Sequence, residues 1–197
     1  MGQWYTMYAI DLGRFKIMKD ITLITGNEAK AAEMGRLLGV SVAHKKISLP
    51  ELQDIDVAVV ARAKAEAAYK AIGTPVFVDD TGLYVNAWNG LPGALIAWFL
   101  DGVGIQGLLR MMQAWDDRSA RVVTALGYCD EAGSKIFVGE VKGTITLRAQ
   151  GKDGFGYDPI FMPEGQSKTF AEMSPAEKDT CSMRAIAANR MKIELGL

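Results

Sequence analysis

Histidine is almost missing from this chain. His44 is the single one among 197 residues, so neither a zinc cluster nor a dependable Ser-His-Asp triad has its parts. It lies beside Lys45 and Lys46 on a half-exposed stretch, where a surface role is expected. Cysteine is equally sparse. Cys129 and Cys181 are far apart, match no metal spacing and supply no disulfide framework, which points to a reducing cytoplasm. Charge of one sign is lacking as well. A net charge of −1 provides no global basic field for nucleic acid, so any phosphate binding must be local. No apolar run is long enough to span a membrane. Residues 1–17 carry Trp4, Tyr5, Tyr8, Asp11 and Arg14 and do not form a signal-peptide pattern. They read as an N-terminal extension, an upstream start or an appended remnant, with no role assigned. Residues 18–197 read as a single domain with ample length for a core. Repeats, low-complexity stretches and clear linkers are also missing.

What is present concentrates in residues 153–161, Asp-Gly-Phe-Gly-Tyr-Asp-Pro-Ile-Phe. Gly154 and Gly156 permit backbone conformations that side chains forbid. Phe155 and Tyr157 are aromatics in a segment too rich in glycine for ordinary core. Asp158 precedes Pro159, which biases it toward an extended conformation and argues against a helix there. Aromatic faces beside a fixed carboxylate suit a flat, hydrogen-bonding ligand such as a nucleobase. A hairpin loop with aromatic anchors fits the segment equally well when it is taken alone.

The remaining segments alternate strand and helix signals. Ile21–Thr25 reads as a buried strand, followed by a turn at Gly26-Asn27 and a helix over Glu28–Leu38, with Asn27 as N-cap and Gly39 past its end. Strand, tight turn and helix N-terminus make an anion site, to which Lys30 adds a full charge. The Walker spacing is absent. Val40–Ile47 is a second strand, and Glu51 lies in the loop after Pro50. Asp56–Ile72 is the strongest helix, capped by Asp56 and ended by Gly73; Lys64 and Glu66 fall on its solvated side.

Pro75–Val78 is a strand that leads into Asp79-Asp80-Thr81-Gly82. Paired carboxylates at the end of a buried strand are costly unless paired or metal-bound, and alternation sends one aspartate to the cleft and the other to a structural role. Hard oxygens near phosphate suit Mg²⁺. Leu95–Leu100 and Ile105–Trp115 read as helices split near Gly102 and Gly104, with Trp98, Phe99, Leu108 and Met112 as core or subunit interface. Ala120–Asp130 and Lys135–Leu147 read as a hairpin. Ser174-Pro175-Ala176-Glu177 fits a capping box. Lys178 and Arg184 lie roughly 240° apart on one continuous helix, so a break near Cys181-Ser182, with Ser182 capping a second helix, is expected.

Together these segments supply a phosphate site, metal carboxylates and a base pocket: the parts of a nucleoside triphosphate site. The chain resembles the inosine triphosphate pyrophosphatases from about residue 21 to residue 193. The resemblance rests on Thr25-Gly26-Asn27 with Lys30 and Glu33, Leu49-Pro50-Glu51-Leu52-Gln53, Asp79-Asp80-Thr81-Gly82-Leu83, Asn89-Gly90-Leu91-Pro92-Gly93, residues 154–161, and Thr169-Phe170-Ala171-Glu172-Met173 with Glu177-Lys178.

The resemblance implies an α/β fold with an elongated mixed central sheet, flanking helices and two lobes around a central cleft, in a homodimer. It implies Mg²⁺-dependent conversion of non-standard purine triphosphates (ITP, dITP, XTP) to the monophosphate and pyrophosphate. By the same resemblance Glu51 and Asp80 hold the metal, and Asp80 orients or deprotonates the attacking water. Thr25, Gly26, Asn27, Lys30 and Lys64 hold the phosphates. Phe155 stacks on the base, and Asp158, Lys178, Ser182 and Arg184 line its pocket, with Thr81, Gly156, Tyr157 and Met183 beside them.

Departures from the family pattern are local. Met183 stands where the family usually has histidine, which bears on how the purine's oxygen substituent is read. Asp79 replaces a glutamate, and Arg148-Ala149-Gln150-Gly151 lacks the family's Pro-Arg-Gly. Two alternatives follow: a pyrophosphatase of altered or broader base preference, and a nucleotide sensor without turnover.

Overall fold

The computed structural model describes residues 21–197; the extension assigned to residues 1–17 lies outside them. The described residues form a mixed α/β structure around one seven-stranded sheet. β1 (Thr22–Ile24) runs into α1 (Glu28–Leu38), then β2 (Ala43–Lys45), α2 (Val57–Ile72), β3 (Val76–Val85), β4 (Pro92–Gly93) and α3 (Ile96–Met111). A long hairpin follows, β5 (Ser119–Asp130) and β6 (Gly133–Ile145), then β7 (Phe161–Pro163), α4 (Pro175–Cys181) and α5 (Met183–Leu195). The sheet order is β2-β1-β3-β5-β6-β7, with β4 also on β3. β1 is parallel to β2 and β3, and every other pair is antiparallel.

Local chemistry explains the boundaries. Asn27 accepts a hydrogen bond from the Lys30 backbone N–H and starts α1, and Gly39 ends it at φ 71°. Asp56 caps α2, and Gly73 ends it at φ 75°; both glycines take a left-handed conformation that disfavours a side chain. Ser182, extended at φ −81°, ψ 152°, closes α4 and caps α5, the expected break. Gly104, at φ 65°, ψ −179°, kinks α3 where two helices were expected.

Two expectations need correction. The strand expected over Pro75–Val78 does not stop before the aspartates. β3 continues to Val85 because β5 pairs with it throughout, from Val76 opposite Cys129 to Val85 opposite Ala120. Asp158 lies in a 3-10 turn, Asp158–Ile160. Pro159 is tolerated there because the first turn of a helix needs no N–H from it, and the Asp158 carboxylate accepts from the Phe155 N–H at 2.9 Å, closing the loop.

β5 occupies one edge of β3 along its whole length. On the other edge β1 pairs at Val76 and Phe77, and β4 pairs at Leu83 and Tyr84. Between them Val78–Gly82 face no strand on that edge, so the sheet carries a notch at the two aspartates. The notch lies just past the carboxyl end of β1, where ligands of open α/β sheets bind.

Period-two alternation then divides β3 between two layers. Phe77 packs with Leu23, Met34, Ala187 and Met191 beneath α1 and α5. Val76 and Val78 pack with Val57, Ala61 and Ala65 of α2 on the opposite face. A third cluster, with Leu83, Ile96, Leu108, Phe161 and Phe170, fills the far end around α3 and the 3-10 turns.

Two glycines let the helices settle on the sheet. A Cβ at Gly127 would lie 2.4 Å from the Ala61 carbonyl oxygen of α2. One at Gly139 would lie 1.9 Å from the Met183 carbonyl oxygen and 2.8 Å from the Ala187 nitrogen of α5. Backbone cannot yield as a side-chain end can. Gly139→Ala is therefore expected to cost about 3 kcal/mol or more by overpacking, read as a lower denaturation midpoint. Gly102→Ala, with open space around it, should leave the midpoint unchanged or raise it.

Candidate active site

The notch opens into a cleft of two chambers. The first, about 300 Å³, runs from Asp80 and Thr81 past Leu95 and Trp98 to Phe155, Tyr157 and Asp158. The second, about 450 Å³, is bounded by Thr25, Gly26, Asn27, Lys46 and Ser48. Lys30, Glu51, Lys64 and Asp80 line both and form their junction.

The alternation of β3 separates the aspartates. Asp79 turns toward α1 and α5, where it is 6% exposed. Arg184 Nε donates to its Oδ2 at 2.6 Å, and Arg184 Nη1 donates to Glu33 Oε2 at 3.0 Å. Lys30 Nζ approaches Asp79 Oδ1 at 3.6 Å and donates to its carbonyl oxygen at 3.0 Å, which satisfies a group that the notch leaves without a strand partner. Burial opposes ionisation of Asp79, but the Arg184 guanidinium and the Lys30 ammonium overcome it and hold the carboxyl down at about 2.

Asp80 turns the other way, toward α2. Lys64 Nζ donates to Asp80 Oδ1 and to Glu51 Oε1, each at 2.8 Å. Burial pushes the Asp80 carboxyl above its ordinary value, with Lys64 opposing. Lys64 is raised as well: burial works against its charge, but Asp80 and Glu51 prevail. Asp80 Oδ2 is buried and has no hydrogen-bond partner among the described residues.

Two carboxylates converging on one cation, one of them with a spare buried oxygen, fit a divalent metal. No cluster of three or more His, Cys, Asp or Glu able to hold a metal occurs among the described residues. Glu51 and Asp80 alone fall short of a full ligand set, and a Mg²⁺ held there would take its remaining oxygens from water and phosphate.

At the other end, Gly154 and Gly156 have φ of 78° and 63°. A Cβ on Gly154 would lie 2.2 Å from Asp158 Oδ2, so the loop can wrap its own carboxylate only with glycine there. Asp158 also accepts from Lys178 Nζ at 2.6 Å. Lys178 Nζ and Arg184 Cζ lie 5.1 and 5.2 Å from the Phe155 ring centre. The break at Ser182 thus aims both cations at one ring, which a straight helix would not do.

Thr25, Gly26, Asn27, Lys30, Lys64 and Glu51 are therefore gathered around the polar chamber and the junction, whereas Phe155, Gly156, Tyr157, Asp158, Met183 and Arg184 line the apolar chamber with Thr81. Lys178 and Ser182 stand one layer behind: Lys178 is 7% exposed and held by Asp158, and fully buried Ser182 caps α5. Trp98, read from sequence as core or interface, is 67% exposed at the cavity rim.

Lys46 and Glu33 were given no site role from sequence. Lys46 lines the polar chamber with its stem against Gly26; its place in a lysine pair beside an exposed strand masked it. The signal for Glu33 was a carboxylate at a position of α1 that otherwise faces the core.

The notch, the helix N-terminus and the paired carboxylates define an α/β protein with a bipartite cleft suited to a phosphorylated ligand. The sequence profile of the Ham1 family matches residues 21–194. The chain is 37% identical over 174 residues to a dITP/XTP pyrophosphatase of Methanopyrus kandleri, covering 86% of this chain and 93% of that one. It is 40% identical over 174 residues to an inosine triphosphate pyrophosphatase of Tuber melanosporum, covering 86% and 92%. The Ham1 protein of Staphylococcus aureus superposes with a TM-score of 0.79 at 30% identity, covering 89% of this chain and 97% of that one. The chain belongs to the Ham1 family, as the six motifs led one to expect.

Proposed function

We propose that the protein is a nucleoside triphosphate pyrophosphatase that converts non-canonical purine triphosphates (ITP, dITP, XTP) to the monophosphate and pyrophosphate. The observation that carries this reading is the junction itself. Lys30, Glu51, Lys64 and Asp80 stand between a chamber rich in aromatic and apolar groups and a chamber built on a helix N-terminus. A nucleotide with its base against Phe155 and its β- and γ-phosphates against Thr25–Asn27 and Lys30 has its α-phosphorus at the junction. The curated relatives named above carry pyrophosphatase names.

The chemistry then follows from the groups present. Water adds to the α-phosphorus, the bond from that phosphorus to the α–β bridging oxygen breaks, and pyrophosphate leaves with the electron pair. Asp80, with its carboxyl poised upward by burial, orients the water and takes its proton. Lys30 and the α1 N-terminus hold charge on the leaving group. Mg²⁺ held by Glu51 and Asp80 would supply charge neutralisation on the phosphates. Phe155 offers its face to the base, and Lys178 and Arg184, 5.1 and 5.2 Å from its centre, help to fix the ring's position.

A second reading concerns the base. Met183 is 2% exposed, packs in the apolar far-end cluster and lines the first chamber. A thioether there donates no hydrogen bond, so base preference is altered or broadened while the phosphate chemistry stays.

No helix of the described residues is long and apolar enough to cross a membrane; the setting proposed is the reducing cytoplasm, where Cys129 and Cys181 would stay as the free thiols they are here. Trp98, Val103 and Met111 are exposed along α3 and would be served by the homodimer that the resemblance implies, a point that sedimentation checks.

The test of function is pyrophosphate release from a panel of triphosphates with and without Mg²⁺. Metal-dependent turnover favouring ITP and XTP over ATP and GTP is expected. Turnover of none would overturn the enzyme in favour of a sensor, and turnover without that preference would leave only the broader pyrophosphatase.

A further inference from the structure

Lys64 occupies an unusual place for a phosphate-binding residue. Its ammonium does not point into the polar chamber unpaired but bridges Glu51 and Asp80, with both contacts at 2.8 Å. Lys30, the other lysine at the junction, is held instead by the backbone and side chain of Asp79. Lys64 is thus the junction cation whose partners are the two carboxylates that would hold a metal. We propose that Lys64 is a resident counter-cation that shuts free divalent metal out of the Glu51–Asp80 pair, so that the cleft takes the preformed metal–nucleoside triphosphate complex as its substrate.

The proposal rests on the pyrophosphatase reading and adds the form in which the substrate arrives. A divalent ion of magnesium's size takes oxygen ligands at about 2.0–2.1 Å, closer than the ammonium allows. An ammonium and a divalent ion sharing two carboxylates would also repel each other strongly in a partly buried site. Free metal would therefore have to expel Lys64 into water with no new anion to meet it. A metal–triphosphate complex brings that anion: as the carboxylates change partner, the ammonium passes to a phosphate oxygen.

The side chain has room for this exchange, because Lys64 is 26% exposed and Glu51 51% exposed. Asp80 Oδ2, buried without a partner among the described residues, is left with a lone pair that a cation taking Lys64's place would satisfy. The arrangement keeps the two carboxylates from repelling each other in the free protein and leaves them short of a full ligand set.

The experiment titrates Mn²⁺ into the full chain without nucleotide, by calorimetry and by electron paramagnetic resonance, for the wild type, Lys64→Met and Lys64→Gln, each first shown to melt cooperatively. Wild type should bind weakly, and both variants at least tenfold more tightly, the factor that about 1.4 kcal/mol of relieved repulsion supplies. Adding Glu51→Gln to Lys64→Met should abolish the gain. A gain of less than tenfold in both variants, or a gain that survives Glu51→Gln, overturns the proposal. The readout needs no turnover, so it stands or falls separately from the pyrophosphatase reading, which the nucleotide panel tests.

Discussion

Asp80→Asn should lower kcat about 10²–10⁴-fold, the range for losing a positioned proton acceptor, while nucleotide binding is retained. The substitution is nearly isosteric, and the amide oxygen can still accept from Lys64, which bonds Asp80 Oδ1 at 2.8 Å. The fold should therefore survive. Burial pushes the Asp80 carboxyl up, so its charge is held in the folded state at a cost, and the neutral amide should melt no lower than the wild type. A variant that is equally or more stable, binds nucleotide and does not turn over is the pattern of a site whose charge serves chemistry rather than folding. Full activity in Asp80→Asn would remove Asp80 from the reaction. A pH profile gives a second check. The acid limb of kcat/KM reports the free enzyme and should lie above the ordinary aspartate value of 3.8 from which Asp80 is raised. The asparagine variant should lose that limb.

That Asp80 turns toward α2 and Asp79 toward α1 and α5 was half visible in the sequence. Alternation in a strand requires adjacent residues to face opposite ways, but it does not say which way is the cleft. The answer depends on α2, which brings Lys64 against one face, and on α5, which brings Arg184 against the other. Arg184 lies 105 residues from Asp79 and 151 from Glu33, and no local rule connects them.

Local elements were legible for the converse reason. α1 coincides with the expected span because its signals, Asn27, a run of strong helix formers and Gly39, act within a few residues. The extent of β3 was not legible: paired carboxylates read as the end of a buried strand, whereas ladder bonds to β5 carry the strand through them. The notch is a property of three strands at once and has no sequence signature. The base-side segment shows both behaviours. Its glycines and aromatics marked it out, but its 3-10 turn depends on the Asp158 carboxylate folding back on Phe155, a contact that the rule for residues before proline does not anticipate.

Arg184→Met should be the most destabilising change at the site. Arg184 is 1% exposed and compensates two buried carboxylates, Asp79 and Glu33. Removing one partner of a buried ion pair costs about 3–5 kcal/mol because the other charge remains without compensation. At about 2–4 °C per kcal/mol for a domain of this size, the melting temperature should fall on the order of 10 °C. The pH dependence separates this from a simple packing defect. In the wild type the Asp79 carboxyl is held at about 2, below its ordinary 3.8. Its stabilising contribution is therefore full above pH 3.8 and disappears only as pH falls through 2. In the variant, burial acts on Asp79 with Lys30 alone opposing it, and the carboxyl rises above 3.8. The folded state then takes up protons that the unfolded state does not, and the variant gains stability as pH falls toward 4. The gap between wild type and Arg184→Met should narrow from pH 7 to pH 4 in denaturant titrations. A gap constant over that range would mean that the cost lies in lost packing of the guanidinium stem, and that the Asp79–Arg184–Glu33 cluster does not anchor α5 to the sheet by charge.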